Sequence, residues 1–311
     1  MEKPWLKNYP DSVPAEIDLS RYNSILDLAD ESLEKHRDRV AYMNFGKELT
    51  FAEWSRTSRD FAAYLQSLGL QKGDRIAIML PNILQYPIAI LGALRAGLTV
   101  VNTNPMYTAR ELRHQLQDSG AKAIVVIENF AHILEKVIDD APVEHVITTR
   151  VGGLLGFPKG TLINFVLKHV KKAVPPFNLP GSVRFDKVLK EGSRHQLLKV
   201  ESSMDDIAFL QYTGGTTGVA KGAMLTHRNM VANTMQAMAW IGSADLGQDV
   251  EYVVSALPMY HIFALTANCF AFMAMGGCNV LITNPRDAEG FVKELGTFPF
   301  SFFPGVNTLF N

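Results

Sequence analysis

The chain is predicted to be an α/β protein built as two doubly wound blocks of sheet and helix. Three observations carry that expectation. Short apolar runs rich in β-branched residues recur from residue 74 onward, separated by amphipathic segments of helical length. The runs are continuously apolar, as strands covered on both faces are, and do not alternate with polar residues. One loop, "YTGGTTGVAKG" from Tyr212 to Gly222, follows such a run with the composition of a ligand-binding turn.

The elements follow in order. "RIAIML" (Arg75 to Leu80) reads as a buried strand, and "LQYPIAILGALRAG" as a helix ending at Gly97. "LTVVNTNP" is the next strand. In "TARELRHQLQDSG", Thr108 and Glu111 stand at capping-box spacing and Gly120 stops the helix. "AKAIVVI", "FAHILEKVIDDA" and "HVITT" continue as strand, helix and strand, which closes a first block over 1–150. Residues 151–200 break the rhythm with Pro158, Pro175, Pro176 and Pro180, and read as an irregular connector. The second block, 201–311, runs through "DIAFLQY", the glycine loop and the helix "THRNMVANTMQAMAWIG". It continues with "EYVVSALP", "MYHIFALTANCFAFMAMGG", "CNVLIT", a helix near Ala288 to Gly296, and "FSFFPG". A further helix begins as the sequence reaches Asn311, with neither cap nor polar tail, and the chain reads as cut.

Composition narrows the function classes. The 311 residues are 47% hydrophobic, and 30 basic against 31 acidic residues give a formal net charge of −1. That balance lacks the basic excess of a nucleic-acid binder. The opening residues lack a signal peptide's apolar region, and no run approaches the ~18 apolar residues of a membrane span, so a cytoplasmic protein is expected. Cys269 and Cys278 lie in apolar surroundings and read as buried thiols, too few for a disulfide framework.

The glycine loop poses the chemical question. Gly214, Gly215 and Gly218 let the backbone approach a ligand closely, and successive free N–H groups form an anion-binding nest. Thr213, Thr216 and Thr217 add hydroxyl donors, and Lys221 adds a compact charge suited to phosphate. A flexible Gly/Thr-rich surface turn is the plainer alternative, but it does not need three threonines and a lysine. The Walker A loop, G-x-x-x-x-G-K-[ST], fails: Ala220 precedes Lys221 and Gly222 follows it.

"YTGGTTGVAKG" resembles the phosphate-loop signature of the adenylate-forming superfamily, which comprises acyl-CoA synthetases, luciferases and peptide-synthetase adenylation domains. It departs from the usual form at Gly214, where Ser or Thr is common, and at Ala220, where Pro is common. "LTFAEWSRTSRDFAAYLQSLGLQKGDRIAIMLPN", "GALRAGLTVVNTNPMYTARELRHQLQDSGAKAIV" and "ALPMYHIFAL" resemble further family blocks. "YPDSVPAEID", "NPMYTARELRHQLQDSGA" and "ITNPRD" are most like bacterial long-chain fatty-acid–CoA ligases. The family's later motifs are missing: Tyr-Gly-x-Thr-Glu, the ribose-binding Asp and the catalytic lysine of a small C-terminal domain. The chain therefore reads as part of the superfamily's N-terminal large domain, truncated before its end and inactive alone.

The resemblance implies ATP-dependent activation of a fatty acid to acyl-adenylate, then transfer to coenzyme A, with Mg2+. It implies that Tyr212, Thr213, Gly214, Gly215, Thr216, Thr217, Gly218, Val219, Ala220, Lys221 and Gly222 cradle the nucleotide phosphates. Thr216 is implied at the metal, Lys221 and His261 in the chemistry, and His261, Gly305 and Val306 along the acyl pocket. From the residues alone, His261 reads equally as a packed core histidine, and Gly305–Val306 as ordinary strand-to-helix packing. Arg228 and Asn229 are explained as well by capping after Thr226 as by ligand contact, and the remaining histidines read as solvated surface. Two alternatives stay open: a nucleotide- or acyl-binding module without turnover, and a ligase for aryl or shorter acids.

The connector holds one more signal. In "GTLINFVLKHVKKAVPPF", Ile163, Val166, Leu167, Val170 and Val174 fall on one helical face, with Lys168, His169, Lys171 and Lys172 on others and Pro175 as the stop. A basic amphipathic helix over 162–174 suits either packing on the protein's own core or reversible contact with a membrane surface.

Overall fold

The computed structural model describes residues 3–214, 220–244 and 251–310. Its strands, in chain order, are β1 (Val40–Asn44), β2 (Lys47–Thr50), β3 (Arg75–Met79), β4 (Thr99–Asn102), β5 (Ala121–Ile127), β6 (His145–Thr149), β7 (Val183–Arg184), β8 (Ile207–Thr213), β9 (Lys221–Thr226), β10 (Tyr252–Ser255) and β11 (Cys278–Leu281). Its helices are α1 (Ile25–Lys35), α2 (Phe51–Ser67), α3 (Gln85–Arg95), α4 (Ala109–Ser119), α5 (Ala131–Glu135), α6 (Lys159–Phe165), α7 (Phe185–Gly192), α8 (His227–Ile241), α9 (Ile262–Ala264), α10 (Phe272–Met275), α11 (Ala288–Leu295) and α12 (Asn307–Phe310).

Two sheets result, a seven-stranded one in the order β7-β6-β5-β3-β4-β8-β9 and a four-stranded one in the order β10-β11-β1-β2. The larger is parallel except for β9, which runs antiparallel to β8. Strand alternation shows how both faces are covered. Ile76 and Ile78 of β3, with Val125 and Ile127 of β5, enter the core shared with α2 and α3, while Ala77, Met79, Ile124 and Val126 face the core formed with α4 and α5. The shared core also takes Tyr42 and Leu281 from the smaller sheet, whose other face packs Val254, Val280 and Ile282 against Phe291 of α11. Helix and sheet thus alternate in five layers. The sequence boundaries at 150 and 200 cut across this plan: β8 and β9 complete the first block's sheet, and β11 pairs in parallel with β1 from near the N-terminus. The linear reading sees order along the chain, whereas pairing follows which strand edges remain open.

Several boundaries move for physical reasons. The helix expected over "FAHILEKVIDDA" is only α5, with single 3-10 turns at Glu128–Phe130 and Ile138–Asp140. "FSFFPG" forms no strand; Phe302 makes one bridge to Val253, and its carbonyl accepts from the Val254 N–H at 2.9 Å. The connector helix does not reach Val174. Beyond α6 it widens into a π turn over Val166–Val170 and ends with Lys172 at φ 49°. The wider turn rotates the intended apolar face: Ile163 and Leu167 pack on the core, but Val170 is left 66% exposed.

Both cysteines are buried free thiols, and burial pushes each up to about 12, so they are inert packing groups. His227 is also buried, contrary to the solvated reading; its Nδ1 accepts the Ile25 N–H at 3.3 Å. Burial holds its imidazole at about 4, against an opposing pull from Asp206 and a smaller push from Lys72. The sign is fixed by that depression. As pH falls from the unfolded value of about 6.5, the unfolded chain takes up a proton that the folded chain refuses until about 4. His227 therefore costs the fold roughly 3 kcal/mol by the bottom of that window. Urea unfolding at stepped pH is expected to show His227→Leu starting less stable at neutral pH yet losing less stability than the parent across the window.

Candidate active site

The glycine loop joins two strands, not a strand and a helix. Tyr212 lies opposite Gly222 and Thr213 opposite Lys221 in the antiparallel β8–β9 ladder, so the loop is the turn of a hairpin. β9 was not foreseen, because "KGAMLT" is short, half-exposed and without strong alternation. Gly215, Thr216, Thr217, Gly218 and Val219 lie outside the described residues, and with them the metal role expected of Thr216.

The two faces of the hairpin mouth differ. Directly opposed residues share a face, and Thr213 and Lys221 are both solvent-exposed, with Lys221 in no ion pair among the described residues. Gly214 has open space around it. On the other face Tyr212 is buried, with its ring over Gly222; a Cβ at Gly222 would lie 2.9 Å from the ring. The Tyr212 hydroxyl donates to Asp118 at 2.5 Å. Burial, then the Asp118 carboxylate, raises that phenol well above its ordinary value, so it remains a donor. One turn earlier on α4, His114 donates from Nε2 to the Ala220 carbonyl at 2.9 Å. Residues i and i+4 of one helix face thus hold both strands of the mouth. His114, read as solvated surface from sequence, has a structural partner; the signal was its spacing from Asp118, which acquires meaning only once α4 is placed against the hairpin.

A chain of buried amides links this hairpin to His261. Gln211 Nε2 donates to the Tyr260 carbonyl at 2.9 Å, and Asn102 Nδ2 donates to Gln211 Oε1 at 3.1 Å. The Tyr86 hydroxyl lies 2.8 Å from both Asn102 Oδ1 and the Met259 carbonyl. Asn82 closes the arrangement: Nδ2 donates to the Ser255 and Leu257 carbonyls at 2.7 and 2.9 Å, and Oδ1 accepts the Met259 N–H at 2.9 Å. The segment 258–261 is therefore pinned between the C-terminal ends of β3, β4 and β8 on one side and β10 on the other. That edge is where open α/β sheets bind ligands.

His261 caps α9 with extended backbone, and its ring rests on Tyr260 at 4.6 Å between centroids. Much of its surface is open, yet neighbouring atoms desolvate it enough to hold its pKa below the ordinary histidine value. The neutral ring can wall a carboxylate pocket and offer one hydrogen bond. Gly305 and Val306 are not drawn to this centre by any contact among the described residues. Gly305 packs on the Phe310 ring, and Val306 is 52% exposed. Asn229 caps α8 in a reciprocal box with Thr226, and Arg228 pairs with Asp205 at 3.0 Å, so both are structural. Among the described residues no group of three or more His, Cys, Asp or Glu could hold a metal ion.

The sequence and the fold match known proteins. Residues 29–311 match the AMP-binding enzyme family, and the chain belongs to it. Over its whole length it is 57% identical to the long-chain-fatty-acid–CoA ligase of Escherichia coli O157:H7 and covers 55% of that protein. Identity to the Bacillus subtilis (strain 168) long-chain-fatty-acid–CoA ligase is 34%, over 99% of this chain and 54% of that one. The chain thus spans about half the length of the curated relatives it matches. Among solved structures, the anthranilate CoA ligase AuaEII in complex with anthranoyl-AMP shares the fold with a TM-score of 0.75 at 19% identity, covering 92% of this chain and 50% of that one. A long-chain-fatty-acid-CoA ligase (FadD1) from Archaeoglobus fulgidus does so with a TM-score of 0.70 at 24% identity, covering 93% and 52%.

The hairpin geometry sets a measurable constraint. Gly222→Ala is expected to cost about 1–3 kcal/mol, because the new methyl and the Tyr212 ring cannot both keep their places. Combining it with Tyr212→Ala, which removes the ring, should cost less than the sum of the single changes. Urea unfolding of the four chains measures that coupling.

Proposed function

We propose that this chain supplies the phosphate-binding and part of the acyl-binding surface of an AMP-forming ligase that activates long-chain fatty acids. The carboxylate attacks the α-phosphorus of ATP, which releases pyrophosphate and leaves acyl-adenylate; the thiol of coenzyme A then displaces AMP to give the thioester. One observation carries this reading. The solvent-facing Thr213–Lys221 pair at the hairpin mouth is joined through Gln211 and Tyr260 to His261, so a phosphate site and a carboxylate site share one rigid edge. The relatives' names supply the acyl class.

Two anions must meet, and orientation and charge neutralisation are what a protein can contribute. Lys221 faces the position of the leaving pyrophosphate, with the Thr213 hydroxyl beside it. His261 stays neutral and walls the carboxylate. It is no general base, because the nucleophile is already ionised near pH 7. Mg2+ would screen phosphate charge; its expected partner Thr216 lies outside the described residues. In the full-length protein Lys221→Ala is expected to slow pyrophosphate release on the order of 10²-fold with fatty-acid substrates. An unchanged rate would remove the phosphate assignment, and faster turnover of aryl or short acids than long ones would replace the acyl class.

The second part of the proposal is peripheral contact with a bilayer, where long-chain fatty acids partition. No helix among the described residues is long and apolar enough to cross a membrane. The support is a surface that differs from the face read in sequence. Leu162, Phe165 and Val170 are 63%, 56% and 66% exposed, beside Lys168, Lys171 and Lys172. Apolar side chains flanked by lysines suit an interfacial, salt-sensitive attachment. Sedimentation at low salt with anionic vesicles is expected to pellet the parent chain and leave a Lys168/Lys171/Lys172→Glu triple variant in solution; equal pelleting refutes the contribution of these lysines.

A further inference from the structure

At the end of the seven-stranded sheet away from the hairpin, the connector roofs a crevice of about 490 Å3. It opens beyond the C-terminal ends of β5 and β6, and β3 and β4 stand between these strands and β8. None of the hairpin, the amide chain or His261 lines it. Its chemistry is basic: Arg150, Lys168 and Arg184 surround it, with the His169 ring beside them. The one carboxylate in the lining, Glu128, is engaged by Arg150 Nε at 2.7 Å. Arg184 chelates Asp186 through Nε and Nη2, both at 2.9 Å. Lys168 is in no ion pair among the described residues, nor are Lys171 and Lys172 beside it. Gly152 and Gly153 close one wall tightly, Gly152 against the Gly160 carbonyl and Gly153 against Gln85 Nε2.

The rim is the second observation. Phe165 lines the crevice, meets the His169 ring at a 38° tilt with centroids 4.9 Å apart, and is itself more than half exposed. Leu162 and Val170 extend the apolar surface along the same short helix, and Phe157 just before it is 88% exposed. A soluble phosphate ester would fill the cationic part and leave these side chains in water. A ligand that is anionic at its head and apolar beyond it satisfies both.

We propose that the crevice binds the phosphate ester headgroup of an anionic phospholipid while Leu162, Phe165 and Val170 enter the bilayer around it. The inference rests on the peripheral contact proposed above and gives that contact a lipid selectivity. Lys168 and the guanidinium of Arg184 supply charge-assisted donors to phosphate oxygens, and the apolar rim faces the acyl chains of the same lipid. No covalent step is involved.

The test uses the purified chain without nucleotide or acid, so it does not depend on the catalytic reading. Vesicles of phosphatidylcholine alone are compared with vesicles containing phosphatidylglycerol. Thr161→Trp fills the crevice while keeping every lysine, and Arg184→Gln removes one donor; both positions are exposed, and thermal melting verifies folding. The parent is expected to bind phosphatidylglycerol vesicles at least about fivefold more tightly than neutral ones, the gain from one cation near an anionic surface. Thr161→Trp and Arg184→Gln should each weaken phosphatidylglycerol binding by a few fold, leaving the residual preference that the three lysines supply. If the folded Thr161→Trp chain keeps the full preference, surface charge alone accounts for the contact and the headgroup site is refuted. Equal binding to both vesicle types refutes headgroup recognition while membrane contact stands. Absence of binding to either refutes both. If isothermal titration shows free sn-glycerol 3-phosphate bound in the crevice, lost in Thr161→Trp, while vesicles are not bound, the source is a soluble ester and the lipid assignment falls.

Discussion

Three buried amide side chains, Asn82, Asn102 and Gln211, hold the two sheets in register at the edge where the candidate chemistry sits. Each is satisfied on both its oxygen and its nitrogen, by partners on a different element. That is a demanding arrangement. A buried amide left without a partner costs about 1–3 kcal/mol, so the network is stabilising only when complete. Because the amides donate to the backbone carbonyls of Ser255, Leu257 and Tyr260, and Asn82 Oδ1 accepts the Met259 N–H, they fix main chain, not merely side chains. His261 inherits its position from them. Hydrophobic burial between the sheets would tolerate small sliding; directional bonds to backbone groups spread over 255–260 do not.

The hairpin changes the physics of phosphate binding from what a strand–loop–helix motif provides. In that motif a helix N-terminus lends its dipole and free N–H groups to the anion. Here the described part of the loop leads into β9, and α8 begins only at His227. The described mouth offers instead the Lys221 charge, the Thr213 hydroxyl and open space at Gly214. Its rigidity comes from outside: α4 grips Tyr212 through Asp118 and the Ala220 carbonyl through His114. Ala220 stands where the resembled signature commonly has proline, and the bond to its carbonyl holds this segment by hydrogen bonding instead of by a ring.

Much of this was legible in the sequence. The parallel strands from Arg75 to Thr149, the capping box at Thr108–Glu111 and the stop at Gly120 could be read, because burial on both faces and helix ends leave short-range signatures. The loop's composition marks it as a candidate phosphate site, but its place between two paired strands is not written in it. What could not be read is long-range. β1 pairs with β11 across more than two hundred residues, and no local pattern encodes which open edge a strand will join. The polar chain through Asn102 and Gln211 was invisible for the same reason, since isolated amides in apolar strands look like exceptions until their partners arrive. His114 and His227 were misjudged because composition says nothing about whether a histidine finds a buried neighbour.

The connector shows how a correct periodicity can still give a wrong surface. Ile163, Val166 and Leu167 do sit at helical spacing, and Ile163 and Leu167 do pack inward. A π turn then adds a residue to the next turn, and every side chain after Val166 is rotated relative to an α-helical projection. Val170 is carried outward, and Val174 leaves the helix altogether. The outward set becomes Leu162 and Phe165, which precede the π turn, joined by Val170, which the ideal projection places on the inward apolar face. A solvent-facing apolar triad beside three lysines without an ion pair among the described residues is not what packing on the protein's own core requires, since Ile163 and Leu167 already supply that contact. The local widening thus separates two jobs that one amphipathic stripe could not do together, holding the connector down and presenting an apolar, basic surface outward.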